Sequence, residues 1–279
     1  MAVPEYGRVT TEEGVVFGTG GGRDLKVDIY TPPGNPISAP GVLLIHGGSW
    51  RSGDRSQLRG YGILLGRLGY VCVACEYRLS GEAAWPAQIH DAKAALRWMR
   101  ANATRLGVDP GRIAVSGNSA GAHIALVLGG TPNLPEFEGT GGNPGVDTSV
   151  RAVISFYGPS DFGSDPEMAQ GAVAELMGPG VTADALRGAS PVSYTKPGYP
   201  PTLLIHGNGD ETVDPEASLR VYWELAKAKV PVELHMYEGL PHAFDSSPIY
   251  GRQSADIMAN FLARHLGAPV ARPAAAAAG

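Results

Sequence analysis

Short apolar runs separated by amphipathic stretches constrain this chain more than any other feature. The runs Leu25–Tyr30, Val42–His46, Tyr70–Cys75, Arg112–Ser116, Val150–Phe156, Thr202–His206 and Val232–Tyr237 have the length of strands. From Val42 onward most are continuously apolar rather than alternating, as in strands covered on both faces. Between them, Ile89, Ala92, Leu96 and Met99 of Ala87–Arg100 fall near one helical face. Leu219, Tyr222, Trp223 and Ala226 of Asp214–Lys229 recur at helix spacing, as do Met258, Phe261, Leu262 and His265, with Gly267 as a stop. Strand–helix alternation of this kind predicts an α/β class protein with a mainly parallel central sheet and helices on both faces. The stretch up to Tyr30 reads as antiparallel strands at one edge, turning at Gly18-Thr19-Gly20-Gly21-Gly22-Arg23. That glycine patch is not a dinucleotide fingerprint, because no helix follows it. Residues 1–267 read as one domain and 268–279 as a Pro/Ala-rich tail that frays. Glu167–Met177 is a short helical candidate in a Gly/Pro-rich segment.

Composition narrows the function classes. With 279 residues, 43% hydrophobic and 18% charged, the chain has ordinary globular composition. A net charge of −5 argues against a nucleic-acid partner, which calls for a basic face. No apolar run approaches membrane-spanning length. Met1–Thr10 lacks the basic and apolar regions of a secretory signal, so a cytoplasmic location is expected. Cys72 and Cys75 have redox-like spacing, but they sit in a strand pattern, where residues three apart face opposite sides. They read as small buried hydrophobes.

The strongest local signal is Gly117-Asn118-Ser119-Ala120-Gly121. It follows the strand Arg112–Ser116 and precedes the helical run Ala122–Leu128, the strand–turn–helix setting that G-x-S-x-G requires. Such a turn presents the Ser119 hydroxyl at a strand's C-terminal end, beside a helix N-terminus that favours developing negative charge. His46-Gly47-Gly48-Ser49-Trp50 directly follows the strand Val42–Ile45. Paired glycines let backbone N–H groups approach a substrate carbonyl. Oxyanion-stabilising donors are therefore expected from Ala120 and from Gly47 or Gly48.

Seven histidines compete for the role of base. His46 and His206 end strands, His123, His90 and His265 lie on helices, and His235 lies within a strand. His242 alone occupies a Gly/Pro-flanked loop after the last sheet strand, Glu238-Gly239-Leu240-Pro241-His242. For the acid, Asp210 follows an apolar strand and turn. Asp214, before Pro215, reads as a helix cap, and Asp161 and Glu238 are weaker rivals. Ser119, Asp210 and His242 stand in the chain order of the α/β-hydrolase arrangement.

These residues resemble the α/β-hydrolase superfamily over nearly the whole chain. Within it the sequence is similar to the serine esterases of the acetyl-xylan/feruloyl esterase and kynurenine formamidase group. The resemblance is carried by His46-Gly47-Gly48-Ser49-Trp50, Glu76-Tyr77-Arg78-Leu79, Trp85-Pro86-Ala87-Gln88, Asp91, Asp109-Pro110-Gly111-Arg112-Ile113, Gly117–Gly121, His206-Gly207 with Asp210, and Pro241-His242. It implies an α/β-hydrolase fold and Ser119, Asp210 and His242 as catalytic triad. Hormone-sensitive-lipase-like enzymes differ. They carry a third glycine where Ser49 stands, Asp where Asn118 stands, a second glycine where Ala122 stands, and a longer N-terminal cap. The closer relatives carry Asp where Glu76 stands.

The activity expected is hydrolysis of short-chain or aryl esters through an acyl-enzyme on Ser119, in a site with a minimal cap. Trp50, Tyr77, Trp85, Phe162, Leu240 and Phe244 are candidate pocket walls. No metal or cofactor is expected, since no Cys/His cluster has zinc spacing. The expected partner is a small-molecule ester, with neither nucleic acid nor membrane, and a homodimer through a sheet edge or the final helix is compatible with the sequence. The same residues would serve an amidase such as an N-formylkynurenine formamidase. A noncatalytic ligand-binding homologue is a third reading, disfavoured because all three triad candidates are present.

Overall fold

A computed structural model describes residues 7–34, 36–163 and 171–269. Its strands are β1 Thr10–Gly20, β2 Arg23–Thr31, β3 Ala39–Ile45, β4 Val71–Cys75, β5 Val108–Asn118, β6 Ala152–Phe156, β7 Thr202–Gly207 and β8 Val232–Tyr237. They form one sheet in the order β1-β2-β4-β3-β5-β6-β7-β8. β1–β2 and β2–β4 are antiparallel, and every other neighbouring pair is parallel. Every residue of β3, β4, β6 and β7 is buried, so these strands read as unbroken apolar runs. The edge strands β1 and β8 are mostly part-exposed. β5 begins at Val108, earlier than its apolar run suggests, because Val108 pairs with Ala39 ahead of the continuous ladder.

The helices are α1 Arg59–Arg67, α2 Ala87–Ala101, α3 Ala103–Leu106, α4 Ala120–Gly130, α5 Pro135–Glu138, α6 Ala172–Met177, α7 Ala183–Ala189, α8 Glu216–Lys227 and α9 Pro248–Leu266. Of the helix expected over 167–177, α6 supplies the second half, and 167–170 lie outside the described residues. So does the expected tail from 270 onward. Among the described residues, no helix is long and apolar enough to cross a membrane.

Strand alternation splits the core between two faces. On one, Val42, Leu44 and Ile154 pack with Leu58, Tyr61 and Leu65 beside α1 and with Met258, Phe261 and Leu262 of α9. On the other, Leu43, Ile45, Val115 and Val153 meet α2, α4 and α8 through Ile89, Leu96, Ile124, Leu128 and Leu225. The two cysteines divide likewise, Cys72 to the α1/α9 face and Cys75 to the α2/α4/α8 face, both free and fully buried. Burial pushes both thiols well above their ordinary value, which leaves them inert.

Parallel register brings the C-terminal ends of the central strands to one edge. Ile45 pairs with Gly117, Asn118 with Phe156, and Gly207 with Tyr237. The loops leaving β3, β5, β6, β7 and β8 therefore meet on a single rim, where open α/β sheets place their ligands.

Candidate active site

Ser119 sits between β5 and α4 with φ 54° and ψ −119°, a conformation that costs on the order of 1–3 kcal/mol in a non-glycine residue. Its surroundings hold it there. The Ser119 N–H donates to the Phe156 carbonyl at 2.9 Å, and its own carbonyl accepts from the N–H groups of Ala122 and His123. Gly121 makes the turn passable, since a Cβ there would lie 2.1 Å from the Ile45 carbonyl oxygen. Among the described residues, four of the seven other non-glycine residues with positive φ lie on the same rim, Ser49, Trp50, Tyr157 and Ala243, while Asn133, Asn143 and Lys229 lie elsewhere. Strain concentrated around one point marks a functional site.

Three loops converge on that serine. His242 Nε2 lies 2.9 Å from Ser119 Oγ, and His242 Nδ1 lies 2.7 Å from Asp210 Oδ2. A carboxylate only accepts, so Nδ1–H donates to Asp210 and the Nε2 lone pair is left to accept from the serine hydroxyl. Asp210 is positioned by four donors. Its Oδ1 accepts the N–H groups of Thr212 and Val213 at 2.8 and 2.9 Å, and its Oδ2 accepts from His242 and, at 3.2 Å, from His206. Burial pushes the Asp210 carboxyl up, but these hydrogen bonds outweigh it and hold the group well below the usual carboxylate range. It stays ionised at neutral pH, although its side chain is fully buried. The His242 side chain keeps 19% of its surface exposed, enough for a reactant to reach it.

The rival assignments resolve into structural roles. Asp214 accepts the Glu216 N–H at the start of α8, Asp161 pairs with Arg220, and Glu238 is exposed. His46 stacks on Tyr77 with ring centroids 4.3 Å apart, and its Nδ1–H donates to Gly47 O. Burial lowers its pKa. His123 is fully buried and held down to about 4, accepting from the Trp50 indole N–H while bonding Ala189 O. Glu76 accepts from Arg23, Arg55 and the Lys26 N–H, tying the β4 end to β2 and the loop before α1.

Gly47 lies directly against the serine. A Cβ on Gly47 would meet Asn118 O at 2.9 Å and Ser119 Cβ at 3.3 Å. Gly48 continues the same loop with φ 117°. Ala120 opens α4, where backbone N–H groups have no partner within the helix.

A cavity of about 810 Å³ opens beside Ser119 and His242, bordered by Gly47, Gly48, Tyr157 and Asp245. It runs between α1 (Tyr61, Ile63, Leu64) and the start of α9 (Pro248, Gly251). Trp50, Tyr77, Phe162 and Phe244 are core residues, and neither they nor Trp85 nor Leu240 lines this cavity. Trp50 meets His123 and Phe162 edge-on, Trp85 packs on His123 and Phe137, Phe244 packs on Tyr237, and Leu240 lies against the Asp210 turn. A strand-end aromatic can turn inward as readily as toward the rim.

Sequence reasoning passed over a second polar cluster. Asp245 accepts from Tyr61 Oη at 2.8 Å, from Asn118 Nδ2 at 2.7 Å and from the Tyr157 hydroxyl. It thereby ties the His242 loop to the residue preceding the serine. The Tyr157 ring also packs against His242, with centroids 4.6 Å apart. Burial, then the Asp245 charge, push the Tyr157 and Tyr61 phenols well above their ordinary value, so both remain donors. Asp245 three residues after the histidine was the one available signal. Among the described residues, no group of three or more His, Cys, Asp or Glu converges as a metal site.

The chain is similar to several known proteins. A "probable carboxylic ester hydrolase", LipM of Mycobacterium tuberculosis, is 34% identical over 80% of this chain and 54% of its own length. The chain spans a little over half the length of the curated esterase relatives LipM, LipC and LipQ that it matches. A propionate-bound thermophilic esterase of Thermogutta terrifontis is 26% identical, with a TM-score of 0.79 over 97% of this chain and 98% of that one. A truncated carbohydrate esterase from gut microbiota, 24% identical, superposes with a TM-score of 0.83 over 92% and 98% of the two chains. The fold is thus the α/β-hydrolase fold expected from the sequence. The BD-FAE family model matches residues 27–225, well over half of the chain, and the protein belongs to that family.

Proposed function

We propose that this protein is a serine carboxylesterase in which Ser119, His242 and Asp210 act as catalytic triad. The observation that carries the reading is the unbroken hydrogen-bond chain from Ser119 Oγ through His242 to ionised Asp210, at the mouth of a cavity. In this reading His242 takes the Ser119 proton as Oγ attacks the ester carbonyl, and Asp210 stabilises the resulting imidazolium. The N–H groups of Ala120 and of Gly47 or Gly48 receive the oxyanion, each donor worth about 3 kcal/mol. His242 then gives its proton to the departing alcohol. Water, activated by the same ring, releases the acid. The ester hydrolase relatives and the esterase holding propionate support an ester with a short acyl group.

A panel of p-nitrophenyl acetate and butyrate, the corresponding anilides, and N-formylkynurenine tests this. The expected result is turnover of the esters with kcat/KM at least about 100-fold above the anilides and the formamide. A preference for N-formylkynurenine would make the protein an amidase with the same residues. Turnover of none would refute the catalytic reading.

A further inference from the structure

Building on that esterase reading, the groove running out from Ser119 says something about the substrate. Along α1, Gly60, Ile63, Leu64 and Arg67 form one stripe lining it, at the i, i+3, i+4, i+7 spacing of a single helix face. Along α9, Pro248, Gly251 and Arg252 do the same. Both stripes are apolar or small until each reaches an arginine. Tyr61, which bonds Asp245 beside Asn118, marks the end of α1 near the serine. Arg67 is six residues further along, about 9 Å at the helical rise.

The charge around this groove is one-sided. Asp245 is its one acidic lining residue among those described, and both its oxygens are taken by Tyr61, Asn118 and Tyr157. Arg67 and Arg252 are exposed and have no ion-pair or hydrogen-bond partner among the described residues. Four other exposed arginines on this chain of net charge −5 find acids, Arg51 with Glu175, Arg59 with Glu13, Arg105 with Glu12 and Arg187 with Asp184, while Arg8 and Arg151, like the groove pair, have none among the described residues. Arg67 from the α1 side and Arg252 from the α9 side thus line one groove without a compensating acid, and guanidinium binds a planar anion in bidentate fashion.

We propose that the preferred ester carries a carboxylate at its end remote from the scissile bond, received by Arg67 and Arg252 after an apolar spacer has crossed the α1/α9 groove. Both arginines are exposed, so the attraction is screened by salt. It acts equally on ground and transition states and therefore appears in KM.

The test is a ratio. The methyl half-esters of adipic and suberic acid place the carboxylate on the acyl side, and the acetate esters of 6-hydroxyhexanoic and 8-hydroxyoctanoic acid place it on the alcohol side. Each is compared with the neutral ester of equal length. Expected is a preference for the anionic member in one of the two arms of about 3- to 10-fold in kcat/KM, carried by KM and reduced at 0.5 M NaCl. The arm that shows it identifies which side lies in the groove. In R67Q/R252Q the ratio should fall toward one, whereas in R151Q, an exposed arginine outside the groove, it should stay as in the parent. Because both esters are measured on one preparation, the ratio is independent of the folded fraction. Hydrolysis of neutral esters with no anionic preference in either arm, or a preference that survives R67Q/R252Q, would overturn this inference and leave the esterase reading standing. No hydrolysis of any ester would overturn both.

Discussion

Replacing Ser119 with alanine is expected to lower kcat for p-nitrophenyl acetate by roughly 10⁴- to 10⁶-fold, the range found when a serine hydrolase loses its nucleophile. The expectation is specific to the hydroxyl. Alanine keeps the Cβ and so meets the same strained backbone at φ 54°. The hydrogen bonds that hold the turn, from the Ser119 N–H to Phe156 O and from Ala122 and His123 to Ser119 O, use only main-chain atoms. The variant should therefore fold with a Tm within a few degrees of the parent while losing turnover. Stopped-assay kinetics beside a thermal melt check both halves. Parent-like turnover would show that chemistry runs elsewhere, and unfolding would show that the hydroxyl holds the turn.

Asp210→Asn is expected to lower kcat by about 10⁴-fold at neutral pH for a different reason. The N–H groups of Thr212 and Val213 both point at Oδ1, so an asparagine there must keep its carbonyl oxygen on that side. Its NH₂ then faces His242 Nδ1 and donates to it. The ring proton moves to Nε2, and the nitrogen beside Ser119 Oγ can no longer accept. His206 compounds the problem. Its Nε2 also lies 3.0 Å from Val213 O and its Nδ1 2.8 Å from Ser218 Oγ, so Nε2–H is already a donor and would oppose the new amide. Loss of charge-assisted hydrogen bonds should cost about 1.5–3 kcal/mol of stability as well. Steady-state kinetics at pH 7 should show the loss in kcat with KM little changed, and urea unfolding should show the stability term. A variant with near-parent kcat would mean that Asp210 does not set the His242 tautomer.

The parts of this molecule that were readable in advance share a property: each has a local cause. Continuous apolar runs at β3, β4 and β7 reflect burial on both faces, and the Gly-rich stretch before Arg23 is the turn between β1 and β2. Ser119, Asp210 and His242, which the structure brings into one hydrogen-bonded row, each follow a strand end with its own turn chemistry. What escaped has a non-local cause. α1 contains Gly60, Gly62 and Gly66, which mask a helix in propensity terms. Gly62 is there because a side chain would strike the Tyr30 ring 2.3 Å away, a contact made by the fold. With α1 unread, the wall that Tyr61, Ile63 and Leu64 supply to the cavity beside Ser119 was invisible. Asp245 escaped likewise, since its donors Tyr61, Asn118 and Tyr157 lie on three other segments.

The most direct test of the account is covalent capture. The protein is incubated with a fluorophosphonate, digested, and its peptides weighed. A single adduct on Ser119, forming together with loss of ester turnover and formed far more slowly in His242→Ala, is the predicted result. Inactivation with the adduct on any other residue, or ester turnover that persists with Ser119 fully modified, would contradict it.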